Sequence, residues 1–251
     1  IGLELHLSEA VAGMGDRPGS LALQQALHRR AAASLGSEDP LTLSVLNNVG
    51  INLARTGDLP AGRKLFEDLY PLRVRVLGAE HEDTLGSMSN LAIMRAMSGD
   101  TAAAEELQRR LVAIYSRRLG DEHPTTLSQR GNLANMLQDL GRMDESEAMM
   151  RAVLEARIRV LGTDSGDAMR SRLNLASLLS RRERFDEALA LEEVVIEGRT
   201  RVLGPRHPDT VFILVNHAGS LNRAGRLEES LALVASTLPL AREVLGPRHP
   251  Q

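Results

Sequence analysis

Residues Leu119–Thr125 read LGDEHPT, and that phrase returns at a fixed distance along the chain. Leu-Gly also stands at Leu35-Gly36, Leu77-Gly78, Leu161-Gly162, Leu203-Gly204 and Leu245-Gly246, so every step is 42 residues without insertion or deletion. A strict period of this length marks one supersecondary unit copied in tandem, each copy packing on its neighbours. It overrides the prior that 251 residues form one or two ordinary domains. The period divides the chain into a partial unit over about 1–36, full units over 37–78, 79–120, 121–162, 163–204 and 205–246, and the start of a truncated unit over 247–251. Both ends look cut, as expected of a fragment of a longer protein.

Inside one unit the signals are helical. Asp39 suits an N-cap and Pro40 a first turn. Leu43, Leu46, Val49, Gly50 and Leu53 then recur at helical spacing. Thr56-Gly57-Asp58 breaks that helix, and a second is predicted over 60–76 with Leu65, Leu69, Leu72 and Val76 as its apolar set. The glycine turn recurs at Gly99, Gly141 and Gly225, where a left-handed residue after a helix is needed. The partial first unit is expected to hold most of a helix over 1–14 and its partner over 21–34. The unit from 163 departs twice, with Ser165-Gly166 for His-Pro and Glu183-Arg184 for Gly-Arg, so its turn is expected to be looser or strained.

Composition narrows the function. Hydrophobic residues make up 43% and aromatics only 2%, so Leu, Ala, Val and Met must fill a continuous core. A net charge of −3 with interspersed signs lacks the basic excess of a nucleic-acid binder, and no nucleic-acid partner is expected. No apolar run approaches the roughly 18 residues of a membrane span, so no membrane association is expected. The absence of Cys removes disulfides, thiol nucleophiles and thiolate metal sites, and fits a reducing, cytoplasmic compartment.

Small residues sit on the first helix at Gly50, Ala92, Ala134, Ala176 and Ala218, and early on the second at Gly62, Ala104, Ser146, Ala188 and Ser230. They let the two helices of a hairpin approach closely. With the linker LGxxHPxT, the block Asn132-Leu133-Ala134 and the ending Arg157-x-Arg159-Val160-Leu161-Gly162, the chain resembles the 42-residue tetratricopeptide repeats (TPRs) of kinesin light chains. The resemblance implies an all-α, right-handed α-α superhelix, a TPR solenoid of about six helix-turn-helix units. It implies a scaffold that binds a peptide or protein segment in a concave groove. Similar bacterial arrays often stand beside signalling ATPase modules, which implies a sensor or adaptor role. The alternative is a structural or self-association element that packs on its own parent protein or oligomerises through its cut ends.

The candidate site is an asparagine ladder, Asn48, Asn90, Asn132, Asn174 and Asn216, each two residues before the small packing position. Two residues are about 200° around a helix, so each Asn faces away from the hairpin contact. In tetratricopeptide repeats that side lines the groove. An amide offers a donor and an acceptor, matching a peptide backbone. Units about 10 Å apart advance by about three residues of extended chain at ~3.3 Å each. The other reading is that each Asn bonds the adjacent helix and fixes the stacking. Flanking positions are more apolar early, with Ile93 and Met97, while Asn135 lies beside Asn132. Late positions are Arg-rich, with Arg170, Arg181 and Arg223, helped by Arg172, Arg182 and Arg184. Guanidinium forks suit carboxylates or phosphates, so an acidic segment is expected there.

Other recurrent residues read as structural. Arg75, Arg117, Arg159 and Arg201 close second helices and are expected on C-terminal carbonyls or nearby acids. His81, His123, His207 and His249 share one linker position, too far apart to converge on one metal ion, and are expected as caps or local hydrogen-bonding groups. His217 replaces the usual Leu on a packing face and reads as a satisfied buried histidine. Acid pairs such as Glu105-Glu106, Glu192-Glu193 and Glu228-Glu229 are expected near the starts of second helices, where they favour the dipole. No HExxH, GxxxxGK[ST] or GxSxG motif occurs, so neither enzyme chemistry nor a cofactor is expected.

Overall fold

The computed structural model describes residues 17–245. Its helices are α1 (Arg17–Leu35), α2 (Pro40–Arg55), α3 (Leu59–Leu77), α4 (Glu82–Met97), α5 (Thr101–Leu119), α6 (Pro124–Asp139), α7 (Met143–Leu161), α8 (Gly166–Arg181), α9 (Phe185–Leu203), α10 (Pro208–Arg223) and α11 (Leu227–Leu245). The helix expected over 1–14, His249 and the truncated unit over 247–251 lie outside the described residues. The helices form two compact units that divide between Gly120 and Asp121. In the first, α1 to α5 each pack on their neighbours in the chain; in the second, α6 to α11 do the same.

The linker phrase sets each first helix. Asp39 accepts from the Leu41 N–H at 2.9 Å, and Ser165 accepts from Ala168 N–H at 3.3 Å. Between them in the series, imidazole does the same work. Nδ1 of His81, His123 and His207 accepts from the N–H two residues on, at 3.2, 3.2 and 3.1 Å. The expectation of capping histidines is met. The recurring arginines reach the start of their own unit: Arg75 pairs with Glu38, Arg117 with Glu80, Arg159 with Glu122 and Arg201 with Asp164. Each of these exposed pairs ties the end of a second helix to the linker before the first.

Hairpins close on their small residues. Ser146 Oγ donates to the Ala134 carbonyl at 2.7 Å, and Ser230 Oγ to that of Ala218 at 2.8 Å. At Gly62 a Cβ would stand 3.3 Å from the Gly50 carbonyl oxygen. Gly50 is itself required, because a Cβ there would stand 2.8 Å from two ring atoms of the buried Phe66. The position of Phe66 holds Gln108, Met150 and Glu192 in later repeats, where the first-helix residue is Ala. Glycine and ring are therefore one packing choice.

The odd turn is strained as expected. Glu183 adopts φ 61, where the equivalent Gly141 and Gly225 have φ 77 and φ 78. A side chain in that region costs on the order of 1 kcal/mol. Glu183→Gly should raise the unfolding free energy by about 1 kcal/mol, measured by urea titration. Gly50→Ala should lower it by about 1–3 kcal/mol, an effect that Phe66→Met on the same chain relieves.

Candidate functional site

The second unit contains a cleft of about 560 Å³ between the first helices α8 and α10, floored by α9. Leu173, Ile213 and Val215 give it an apolar part. Ser177, Ser180, Asn216 and Ser220 add hydroxyls and an amide, and Arg181 and Arg223 stand at the last turns of the two helices. Three sequence-derived residues, Arg181, Asn216 and Arg223, are thus brought to one place. Arg223 donates to Ser220 Oγ at 3.0 Å. Among the described residues Arg181 has no ion-pair or hydrogen-bond partner.

Arg170 stands elsewhere. It is ion-paired with Asp167 on its own helix and lines a second cleft of about 610 Å³ with Leu161, Ser165 and Arg199. The arginines expected to add to the late groove are engaged away from it. Arg172 is buried and donates to the Thr163 carbonyl and hydroxyl, both at 2.6 Å. Arg182 and Arg184 join Arg151 around the buried Glu147, at 2.7, 2.8 and 2.8 Å. They follow the last turn of α8, and their side chains reach back to α7 rather than across to α10.

The ladder amides are half-buried at Asn48, Asn90, Asn132 and Asn174, and Asn135 and Asn216 are exposed. Asn90 Nδ2 donates to Asn47 Oδ1 on the preceding first helix at 3.2 Å. At that rung the amide does tie neighbouring repeats together. Among the described residues, the side chains of Asn48, Asn132, Asn174 and Asn216 make no hydrogen bond within the protein. Ile93 and Met97, expected as the apolar flank of Asn90, are exposed.

Two groups of polar residues lie beneath this face, and their buried joining was not read from the sequence. Arg73 is 2% exposed. Its Nη1 donates to the Asp83 carbonyl at 2.6 Å and Ser87 Oγ at 2.8 Å, and its Nη2 to Ser44 Oγ at 3.2 Å. Burial lowers its pKa, and Asp83 opposes that only in part. Arg157 repeats the arrangement with Ser171 at 2.7 Å and Ser128 at 3.2 Å. Tyr115 takes the same position between them and donates to Glu82 at 3.1 Å; its pKa is pushed up to about 12, first by burial and then by Glu82. The signal lay in a doubled period, since Ser44, Arg73 and Ser87 recur 84 residues on as Ser128, Arg157 and Ser171.

The second group corrects the reading of Glu192 as a helix-start acid. Glu192 lies in the middle of α9, 8% exposed, where Phe66 and Met150 stand in other repeats. His217 Nδ1 lies 2.7 Å from its Oε2, and Ser220 Oγ donates to Oε1 at 2.8 Å. His217 is thus a satisfied buried histidine, as expected. Serine here donates to the carboxylate and not to the imidazole, so the three do not form the base–nucleophile relay of a hydrolase.

Glu147 yields a pH prediction. Burial raises its pKa, but the hydrogen bonds and charges of Arg151 and Arg184 outweigh that and hold it below the usual value. A carboxyl depressed in the fold contributes stability that is present above its unfolded pKa, about 4.3, and lost as pH falls through the folded value. Between about pH 5 and about pH 3, the melting temperature of the wild type should fall further than that of Glu147→Gln, so the two curves converge in acid.

Two Tetratricopeptide repeat family models match, one over residues 42–117 and 123–201 and the other over 214–251. Among solved structures, BtubC (BKLC) from P. vanneervenii is similar over 92% of this chain and 94% of its own, with a TM-score of 0.72 and 21% identity. The nearly identical TPR-like repeats attributed to a kinesin light chain from Podosopora anserina match over 81% of this chain and 96% of their own, with a TM-score of 0.71 and 22% identity. A tetratricopeptide repeat protein from Parabacteroides merdae matches over 95% and 78%, with a TM-score of 0.59 and 17% identity. At these identities the likeness is one of fold. A search of curated proteins finds no match.

Proposed function

Since the chain belongs to the tetratricopeptide repeat family, an all-α fold that mediates protein–protein interaction, we propose that it captures a peptide or protein segment on the face made by its first helices. The observation that carries the reading is the cleft between α8 and α10, where Arg181 and Arg223 flank Asn216 and Ser177. Two guanidinium groups one repeat apart fit carboxylates on one extended segment. The partnerless amides of Asn132 and Asn174 offer donors and acceptors to its backbone. Arg170, paired with Asp167, is a reserve cation rather than a free one. Tetratricopeptide arrays serve as scaffolds rather than catalysts, and the resemblance to bacterial arrays supports a cytoplasmic sensor or adaptor region of a larger signalling protein.

A second reading is favoured by one observation. Leu231 on α11 is 60% exposed, whereas Leu189, its equivalent on α9, is 2% exposed. Leu227 and Val234 extend that apolar stripe along α11. On this reading the stripe packs on the parent protein or on a second copy. Light scattering over a concentration series separates the two readings, because self-association makes the apparent mass rise.

Binding to an arrayed peptide library tests the first reading. Arg181→Glu with Arg223→Glu should weaken acidic peptides at least about tenfold and neutral ones far less. Equal losses for both would remove the acidic ligand. Asn132→Ala with Asn174→Ala should abolish capture while leaving the helical melt nearly unchanged; a large drop in melting temperature would make the ladder structural.

A further inference from the structure

The cleft is floored by an acid, and that acid is bonded to an imidazole beneath it, at two positions that are mostly apolar in the other repeats. The register of His217 holds Val49, Leu91, Leu133 and Leu175 in the other units, and that of Glu192 holds Phe66, Gln108, Met150 and Val234. Both substitutions fall on the same pair of helices and meet at 2.7 Å, with His217 6% and Glu192 8% exposed. A buried acid–base pair stabilises a fold no better than well-packed apolar side chains. Packing therefore does not explain the pair, but its position does. Glu192 and Ser220 line the cleft, and the chain Glu192–Ser220–Arg223 runs from the buried carboxylate to a guanidinium at the cleft wall.

Imidazole is the side chain that changes charge between about pH 5 and about pH 8. With a neutral ring, Nδ1–H donates to Glu192 and the pair carries one negative charge, which offsets one of the two cleft arginines. If the ring holds a second proton, on Nε2, the pair is neutral and both arginines act on the cleft unopposed. The charged group shown to act on the ring is Glu229 of α11, bound to Arg226, while Arg223 on the ring's own helix and Arg181 stand at the cleft. Glu229 is held below the usual carboxylate range first by the Arg226 hydrogen bond and only lastly by His217.

We propose that the protonation state of the Glu192–His217 pair sets the affinity of this cleft for an anionic segment, which binds more tightly as the ring gains its proton. The inference rests on the reading of the cleft as a ligand site, and it adds that the site is tuned by acidity.

The probe is a rhodamine-labelled peptide of alternating alanine and cysteic acid, whose sulfonates stay ionised throughout. Its affinity for the wild type should rise about five- to tenfold from about pH 8 to about pH 5.5, the effect of one unit charge at a partly screened site. Glu192→Met with His217→Leu restores the residues of neighbouring repeats and keeps the floor packed. That variant should bind the peptide with no such slope. A slope equal to the wild type's, or a flat wild-type profile with binding present, overturns the proposal. A second measurement needs no peptide: in the ¹⁵N-labelled protein the Nε resonances of Arg181 and Arg223 should shift with the midpoint of the His217 ring. A ring that does not titrate, or one that titrates without moving them, overturns it too. Failure of the peptide to bind at any pH removes the anionic-ligand reading itself, while the arginine resonances still decide whether the pair controls the cleft's charge.

Discussion

The contact on which the rest of the structure depends is the close approach of two backbones inside each hairpin. Ser146 Oγ reaches the Ala134 carbonyl at 2.7 Å, and a side chain at Gly62 would meet the Gly50 carbonyl oxygen. Small residues at both places bring the second helix against the first, and this fixes which faces remain. The apolar stripes then meet between neighbours, as in the cluster of Ala134, Met150, Leu175, Leu179 and Ala188. The face of the first helices two residues away is left for amides and guanidinium groups. The positions proposed to meet a ligand follow from a steric condition at the opposite side of the same helix.

Charge is distributed by the same logic. Most arginines in the described residues are held by acids of their own or the preceding repeat: Arg75 by Glu38, Arg201 by Asp164, and Arg151, Arg182 and Arg184 around Glu147. Exposed pairs of this kind add little stability individually, but they remove cations from the set that a ligand could meet. What remains at the α8–α10 cleft, Arg181 and Arg223, is small in number and placed one repeat apart. On the proposed reading, the specificity of this surface comes as much from the cations tied up elsewhere as from those that face the cleft.

The repeat, the hairpins and the caps were legible because each rests on short-range rules that recur at a fixed interval. Asp39, His81 and Pro124 all sit at helix starts, and the glycines at 57, 99 and 141 all end first helices. The cleft was half legible. Helical spacing placed Arg181, Asn216 and Arg223 on one face, but it could not show that Arg172, Arg182 and Arg184 turn away, because that depends on where Thr163 and Glu147 lie in three dimensions. Glu192 was misread for a related reason. As half of an acid pair it looked like a solvated helix acid, and only its register against Phe66 and Met150 marks it as an inward position. Comparison across repeats, rather than along one helix, would have found it.

The buried arginines have a consequence for how such a chain can be lengthened or shortened. Arg73 and Arg157 each hold a serine on the next first helix, Ser87 and Ser171, and Tyr115 stands between them in the same register. The backbone repeats every 42 residues, but this interlocking polar joint repeats every 84. A deletion of 42 residues after Gly78 would set Arg73 against Gln129, whereas one of 84 would set it against Ser171. The unit that this part of the array can gain or lose while keeping a serine on its buried arginine is two hairpins, not one.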